Sequence, residues 1–418
     1  MRFNTSLLHA GVQKEANGST LPPVYQTSAF EQTSATDLEK IFENKAPGFC
    51  YTRVGNPTVT AFENRITKLE GGIASIACAS GMAALMNAFL NILRSGNEIV
   101  SSASLYGGTI DLFTDLEAFG ITTRYVENNN WEQIEGAINE HTRLVFAETI
   151  GNPCLDVTDI EKLAEIAHEH ELPLIVDNTT STPYLIQVLK HGADIVVNSS
   201  SKYINGSSNS ISGVLTDGGK FKWKKEKYPG LADYLKFGPM AFIAKLRNGL
   251  FRNTGACLAP VNAYLNVIGL ETLGLRMERQ CNNAAALAKW IEETYPDVTV
   301  NYPGLESSPW HAIAKKQFEN GYGAILTLRV GSKKQAFDFI DSLNIAYTLS
   351  NIGDTKTLVI HPGSTISLHS TEKQKEDAGV FEDLIRVSVG IEDIEDLKED
   401  FAQAFAKILV KKDNLLSL

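Results

Sequence analysis

Three short apolar runs set the strongest limit on what this chain can fold into. Arg143-Leu-Val-Phe-Ala147, Leu172-Pro-Leu-Ile-Val176 and Asp194-Ile-Val-Val197 are nearly continuous apolar segments bounded by polar residues. Strands of that kind are buried on both faces, the condition of a parallel sheet covered by helices. Between the first two, Thr158-Asp-Ile-Glu161 has the form of a capping box that opens a helix through His170. Strand, helix and strand at this spacing make a βαβ unit, with a right-handed connection expected. Ser80 to Leu93 reads as a second buried helix, rich in Ala, Met and Leu, with Ser80 at its N-cap. The middle of the chain is therefore expected to be an α/β domain with a doubly wound, mostly parallel sheet.

The flanks differ from this middle. The first sixty residues carry the turn signals Pro22-Pro23, Pro47-Gly48 and Asn56-Pro57 and show no regular period. Such a segment reads as an arm that packs on another part of the molecule or on another subunit. After about residue 258 the texture shifts again. Helices are expected over Met277–Tyr295, Lys333–Leu343 and Ile394–Leu409, with strands over Ala324–Val330, near Leu358–Ile360 and over Leu384–Val389. Strands with helices to one side form an α+β domain. The 418 residues thus divide into an arm over 1–60, an α/β domain over 61–257 and a smaller α+β domain over 258–418.

Composition excludes several functions. Lys and Arg number 38 against 49 Asp and Glu, a formal net charge of −11. That balance argues against a nucleic acid or an anionic membrane held by a general basic field. The longest apolar candidate, Met82 to Leu93, is broken by Asn87 and Asn91 and is too short to span a bilayer. Met1-Arg-Phe-Asn-Thr-Ser6 lacks the apolar core of a secretion signal, so a cytoplasmic location is expected. The cysteines at 50, 78, 154, 257 and 281 are scattered and odd in number, fitting neither a disulfide framework nor a zinc site. His9, His141, His168, His170, His191, His361 and His369 point to no metal site; His168 and His170, two apart on a helix, face away from each other.

The chemistry concentrates in Val176-Asp177-Asn178-Thr179 and Asn198-Ser199-Ser200-Ser201-Lys202-Tyr203. An Asp at the carboxyl end of one parallel strand and a Lys just past the next share the edge where open α/β sheets bind ligands. Pyridoxal phosphate needs this pair: a lysine amine for its Schiff base and a carboxylate to keep its pyridine nitrogen protonated. Its phosphate needs donors, and Ser199 and Ser201 flank Lys202. Ser80, Gly81 and Met82 open a helix whose N–H groups and dipole attract an anion. Tyr106, in the turn-like Leu105-Tyr-Gly-Gly-Thr109, could stack on the ring, and Tyr51 and Arg53 in the arm offer a hydroxyl and a guanidinium to the phosphate. Each feature has a bland reading as a strand end, a packing motif or a loop anchor; their convergence on one cofactor is what carries the argument.

With those residues in view, the chain resembles the Cys/Met-metabolism family of fold-type I pyridoxal-phosphate enzymes. The likeness runs from Tyr51-Thr-Arg-Val-Gly-Asn-Pro-Thr58 to Arg386-Val-Ser-Val-Gly-Ile-Glu-Asp393. The resemblance implies a seven-stranded, mostly parallel sheet. It implies that Lys202 forms the Schiff base and then moves protons, Asp177 pairs with the pyridinium and Tyr106 stacks on the ring. By the same likeness Ser80, Gly81, Met82, Ser199 and Ser201 hold the phosphate. Tyr51 and Arg53 arrive from a neighbouring subunit of a dimer that is usually paired into a tetramer. Asn152 contacts the ring hydroxyl, and Arg386, helped by Ser350, clamps the substrate carboxylate. Tyr51 and Tyr106 are candidates for proton handling near the γ-carbon.

Gly255–Pro260, Gly269–Leu273 running to Arg279, Asn351–Asp354 and Leu358–Pro362 are most similar to the O-acetylhomoserine sulfhydrylases of that family. The implied reaction is γ-replacement of acetate by sulfide, giving L-homocysteine for methionine biosynthesis. The sulfur would come as free sulfide or from a carrier protein. A methionine γ-lyase, a cystathionine γ-synthase and an inactive regulatory relative are the alternatives. The chain departs from the family at Asn198, where His is common, at Gly206-Ser207-Ser208, where Gly-His-Gly is common, and at Ser364-Thr-Ile-Ser367.

Overall fold

The structure, a computed structural model, describes residues 1–13, 17–368 and 370–409; His369 lies outside the described residues. Two compact units emerge. One comprises Met1–Ser102, Asp111–Thr149 and Asp159–Gly274, the other Ala103–Ile110, Ile150–Thr158 and Leu275–Leu418.

The first unit is built on seven strands: β1 Ala74–Cys78, β2 Glu98–Ser102, β3 Thr122–Val126, β4 Thr142–Glu148, β5 Leu174–Asp177, β6 Ile195–Asn198 and β7 Gly213–Asp217. Their order is β1-β7-β6-β5-β4-β2-β3, parallel except for β7, which runs against both neighbours. The three apolar runs are β4, β5 and β6 at the centre, and Leu144, Val145, Phe146, Ile175, Val176, Val196 and Val197 are almost wholly buried. The Ser80 helix spans Gly81–Ile92 with Ser80 at its N-cap, as its pattern predicts. The helix after β4 spans Ile160–Glu169, and its cap is Asp159 rather than Thr158. The Asp159 carboxylate accepts from the Lys162 N–H at 3.2 Å, and a carboxylate there also meets the positive end of the helix dipole. In the arm, short helices over Phe3–His9 and Ala35–Phe42 appear that the sequence did not announce.

The second unit carries β8 Thr299–Asn301, β9 Ile325–Arg329, β10 Tyr347–Thr348, β11 Leu358–Ile360 and β12 Leu384–Ser388, ordered β10-β11-β12-β9-β8. Helices Leu273–Thr294, Lys333–Ser342 and Ile394–Ile408 pack an apolar core on that sheet through Leu287, Ile291, Phe339, Phe401 and Phe405. Asp400, buried on the last helix, accepts from the N–H groups of Asn344, Ile345 and Ala346 at 2.8, 2.9 and 3.3 Å. Three backbone donors that would otherwise be orphaned are satisfied by one carboxylate. No helix among the described residues is long and apolar enough to cross a membrane.

A buried carboxylate also holds the edge of the first sheet. Glu63, on the Pro57–Glu70 helix, accepts from the Ala77 N–H of β1 and from Arg247, each at 2.9 Å; Arg247 also donates to Ser75 O at 3.0 Å. Removing Glu63 leaves a strand amide and a guanidinium short of an acceptor. Glu63→Ala is expected to cost about 3 kcal/mol, read as a lower denaturant midpoint. An unchanged midpoint would show that the pair does not hold β1.

Candidate active site

The carboxyl edge of the first unit's sheet brings together Asp177, Ser199, Ser201, Lys202 and the Ser80 turn. In the parallel register Asp177 pairs with Val197, and the Asn178 N–H donates to Val197 O at 2.8 Å, so β5 and β6 end side by side. Asp177 is half-buried, and desolvation pushes its carboxyl up to about 6 against the downward pull of the Thr179 hydroxyl and N–H. The Thr179 N–H donates to Asp177 Oδ1 at 2.9 Å, while Thr179 Oγ1 accepts from the Ser199 N–H at 2.7 Å. Thr179 therefore couples the carboxylate to the lysine segment. The sequence reading did not name it, although its place two residues after a strand-end Asp is the signal of an Asx-type turn.

Lys202 sits in a tight turn: its N–H donates to Ser199 O at 3.1 Å, and its carbonyl accepts from the Gly206 N–H at 2.8 Å. Ser199 lies against the start of the Gly81–Ile92 helix. A Cβ on Gly81 would stand 2.7 Å from Ser199 Cβ, and one on Gly213 of β7 would stand 2.1 Å from Ser80 O. Glycine at both places lets two backbones close into a cup. The first N–H groups of that helix have no carbonyl partner within it, and with the helix dipole they favour an anion. Ser80 Oγ accepts from the Ala83 N–H at 3.0 Å as the cap. Ser201 Oγ donates to Ser212 O at 3.0 Å and accepts from Ser212 N–H at 2.8 Å, which ties the lysine turn to β7. An amine, a half-buried carboxylate and an anion cup on one sheet edge fit the three polar ends of pyridoxal phosphate. Tyr51 and Arg53 lie together elsewhere in this unit. The guanidinium is 5.4 Å from the Tyr51 ring centroid and donates to Arg252 O.

In the second unit Arg386, buried on β12, donates to Asn152 Oδ1 and to Asn351 O, both at 3.0 Å. Two fixed acceptors set the guanidinium plane, the arrangement needed for bidentate recognition of a carboxylate. With its oxygen turned to Arg386, Asn152 presents its N–H2 end outward from that bond. Asn351 was not singled out as a carrier of Arg386, because it acts through its backbone carbonyl. Ser350 is exposed. Tyr106 precedes a helix over Gly107–Glu117, and a Cβ on Gly108 would meet the Tyr106 ring at 2.5 Å, so the glycine makes room for the ring.

The profile of the Cys/Met metabolism PLP-dependent enzyme family matches residues 4–406. A homocysteine synthase of Schizosaccharomyces pombe is 42% identical over 96% of this chain and 97% of its own length. An O-acetyl-L-homoserine sulfhydrylase of Corynebacterium glutamicum is 41% identical over 97% of each. Among solved structures, a Campylobacter jejuni protein carrying N′-pyridoxyl-lysine-5′-monophosphate has a TM-score of 0.91 at 32% identity, covering 97% of this chain and 99% of that one. A cystathionine γ-lyase of Lactobacillus plantarum has a TM-score of 0.85 at 33% identity, covering 98% and 99%.

If the cup is the phosphate site, Gly81→Ala should disrupt it, because the added Cβ would stand 2.7 Å from Ser199 Cβ and push Ser199 off the helix start. Cofactor affinity is expected to fall by at least about tenfold, measured by titrating the apoenzyme with pyridoxal phosphate. An unchanged affinity would remove the cup from the site. The chain belongs to the Cys/Met-metabolism family of pyridoxal-phosphate-dependent enzymes.

Proposed function

We propose that this enzyme replaces the acetate of O-acetyl-L-homoserine by sulfide, releasing L-homocysteine. The observation that carries the reading is end-to-end identity of about 40% to homocysteine synthases and O-acetylhomoserine sulfhydrylases, together with the Lys202–Asp177 sheet edge. Pyridoxal phosphate, when bound, supplies an aldehyde that captures the substrate amine and a ring that accepts the electron pair left on carbon.

The residues have separate tasks. Lys202 Nζ takes the proton from the substrate Cα and then one from Cβ, and it returns both after sulfur has bonded to Cγ and acetate has left. Asp177 holds the proton on the pyridine nitrogen. The Gly81 and Met82 N–H groups, with Ser80, Ser199 and Ser201 about them, hold the phosphate. Arg386 grips the substrate α-carboxylate through a guanidinium already set by Asn152 and Asn351, with Ser350 assisting, and the Asn152 amide donates to the ring hydroxyl. Tyr106 stacks on the ring. Tyr51 and Arg53 serve a neighbouring subunit's phosphate, and both tyrosines stand as proton carriers near Cγ. Exposed Val24, Tyr25, Leu38, Phe42 and Met240 in the first unit support a homo-oligomer, with a dimer of dimers as the assembly. Free sulfide or a carrier-bound thiocarboxylate would serve as donor.

Purified holoenzyme given O-acetylhomoserine and sulfide should yield homocysteine and acetate. Methanethiol and α-ketobutyrate from methionine alone would overturn the reading in favour of a lyase. Lys202→Ala is expected to abolish turnover, and Arg386→Lys to raise KM for the ester by about thirtyfold, because an ammonium loses the planar two-point contact. An unchanged KM would place the carboxylate elsewhere.

A further inference from the structure

We propose that Glu70 is a positioning residue, held as a neutral carboxylic acid, that ties together the strand ends carrying Asp177 and Ser199. The proposal rests on the reading of those two residues as cofactor ligands. Glu70 is the last residue of the Pro57–Glu70 helix and has no exposed surface. Its Oε1 accepts from Asn198 Nδ2 at 2.7 Å, and Asn198 is the last residue of β6, directly before Ser199. The side chain of Asn178, directly after Asp177, bears on the same carboxyl, and its own Nδ2 donates to Ile186 O at 3.0 Å. One side chain thus reaches the end of both strands.

The oxygens here outnumber the donors. Glu70 Oε2, Asn178 Oδ1 and Asn198 Oδ1 are buried acceptors with no hydrogen bond among the described residues. A proton on Glu70 turns one of these acceptors into a donor, which lowers the number of buried oxygens left without a partner. The groups that bear on the carboxyl are the two asparagine amides, and among the described residues no cation or second carboxylate acts on it from its own helix, from β1, β5, β6 or β7, or from the Phe3–His9 and Pro260–Glu271 helices packed on it. Burial accordingly pushes the acid up to about 8. The sequence places Glu70 in Leu69-Glu70-Gly71-Gly72, at the end of its helix.

The sign of the pH effect follows. Between about 4.5 and 8 the native chain keeps a proton that the unfolded chain has released, so stability from this group is present at low pH and is lost as pH rises through that window.

Two variants separate the parts of the proposal. Glu70→Gln keeps the shape and a donor without the titration, and Glu70→Met keeps the volume without either. In the holoenzyme, the thermal midpoint of E70Q relative to wild type should climb by several degrees between pH 5 and pH 8. The infrared difference spectrum at pH 7 should show a protonated-carboxyl stretch that E70Q lacks. E70Q should bind pyridoxal phosphate as wild type does, whereas E70M should weaken it by at least about tenfold and alter the visible spectrum of the bound cofactor. If E70M does not fold, Asn198→Ala takes its place, with the same loss of affinity expected.

A flat midpoint difference or the absence of the protonated stretch overturns the neutral acid. A folded E70M, or N198A in its stead, with wild-type cofactor affinity and spectrum overturns the positioning role. The infrared and melting results do not involve turnover, so they stand or fall independently of the sulfhydrylase assay.

Discussion

The parallel ladder of β4, β5 and β6 is the constraint on which the rest depends. Parallel pairing puts every carboxyl end on one edge, with neighbouring strands about 4.8 Å apart. Once Glu148 pairs with Asp177 and Asp177 with Val197, the residues that follow β5 and β6 have no choice but to meet. Asp177, Thr179 and Ser199 become one hydrogen-bonded group because of that register. A slip of one residue would turn Asp177 to the other face. The antiparallel β7 adds Gly213 at the same edge, which is why the Ser80 turn can press so close.

Around this ladder the fold repeatedly uses buried carboxyl groups as connectors, and what each meets differs. Glu63 has a guanidinium and a strand amide. Asp400 has three backbone amides and so ties the Ile394–Ile408 helix to the loop before β10. Glu70 has only side-chain amides. A cation or several N–H groups offset the cost of burying a carboxylate, and neutral groups with their own lone pairs offset less of it. The three acids look alike in sequence, and their surroundings distinguish them.

Legibility in the sequence follows the same division. Central strands, buried on both faces, wrote continuous apolar runs, and β4, β5 and β6 stand within two residues of where those runs place them. β1, β2, β3 and β7 escaped: Ala74–Cys78 is built largely of small residues, Glu98–Ser102 and Gly213–Asp217 mix apolar with polar residues or glycine, and Thr122–Val126 is an edge strand mostly open to solvent. Asp177 and Lys202 were legible because their charges stand at the end of β5 and just past the end of β6, whereas Arg386, in the middle of β12, came from the family resemblance. Thr179, Asn351 and Glu70 were not legible. Thr179 works through a turn, Asn351 through its main chain, and Glu70 through a burial that only the packed helix creates. The cap at Asp159 rather than Thr158 is a choice between adjacent good caps that sequence alone leaves even.

The departure at Asn198 gains a physical meaning from Glu70. The resembled family commonly has histidine there, and an imidazole beside a buried carboxyl can share its proton and form an ion pair. Asparagine carries no charge and has a fixed donor end, which it gives to Glu70 Oε1 at 2.7 Å. The other end is an oxygen that must itself find a donor. With asparagine at 198, a bridging proton in this strand-end link can be carried only by the glutamate. A neutral link at the end of β6 adds no charge beside Asp177, the carboxyl proposed to face the cofactor ring.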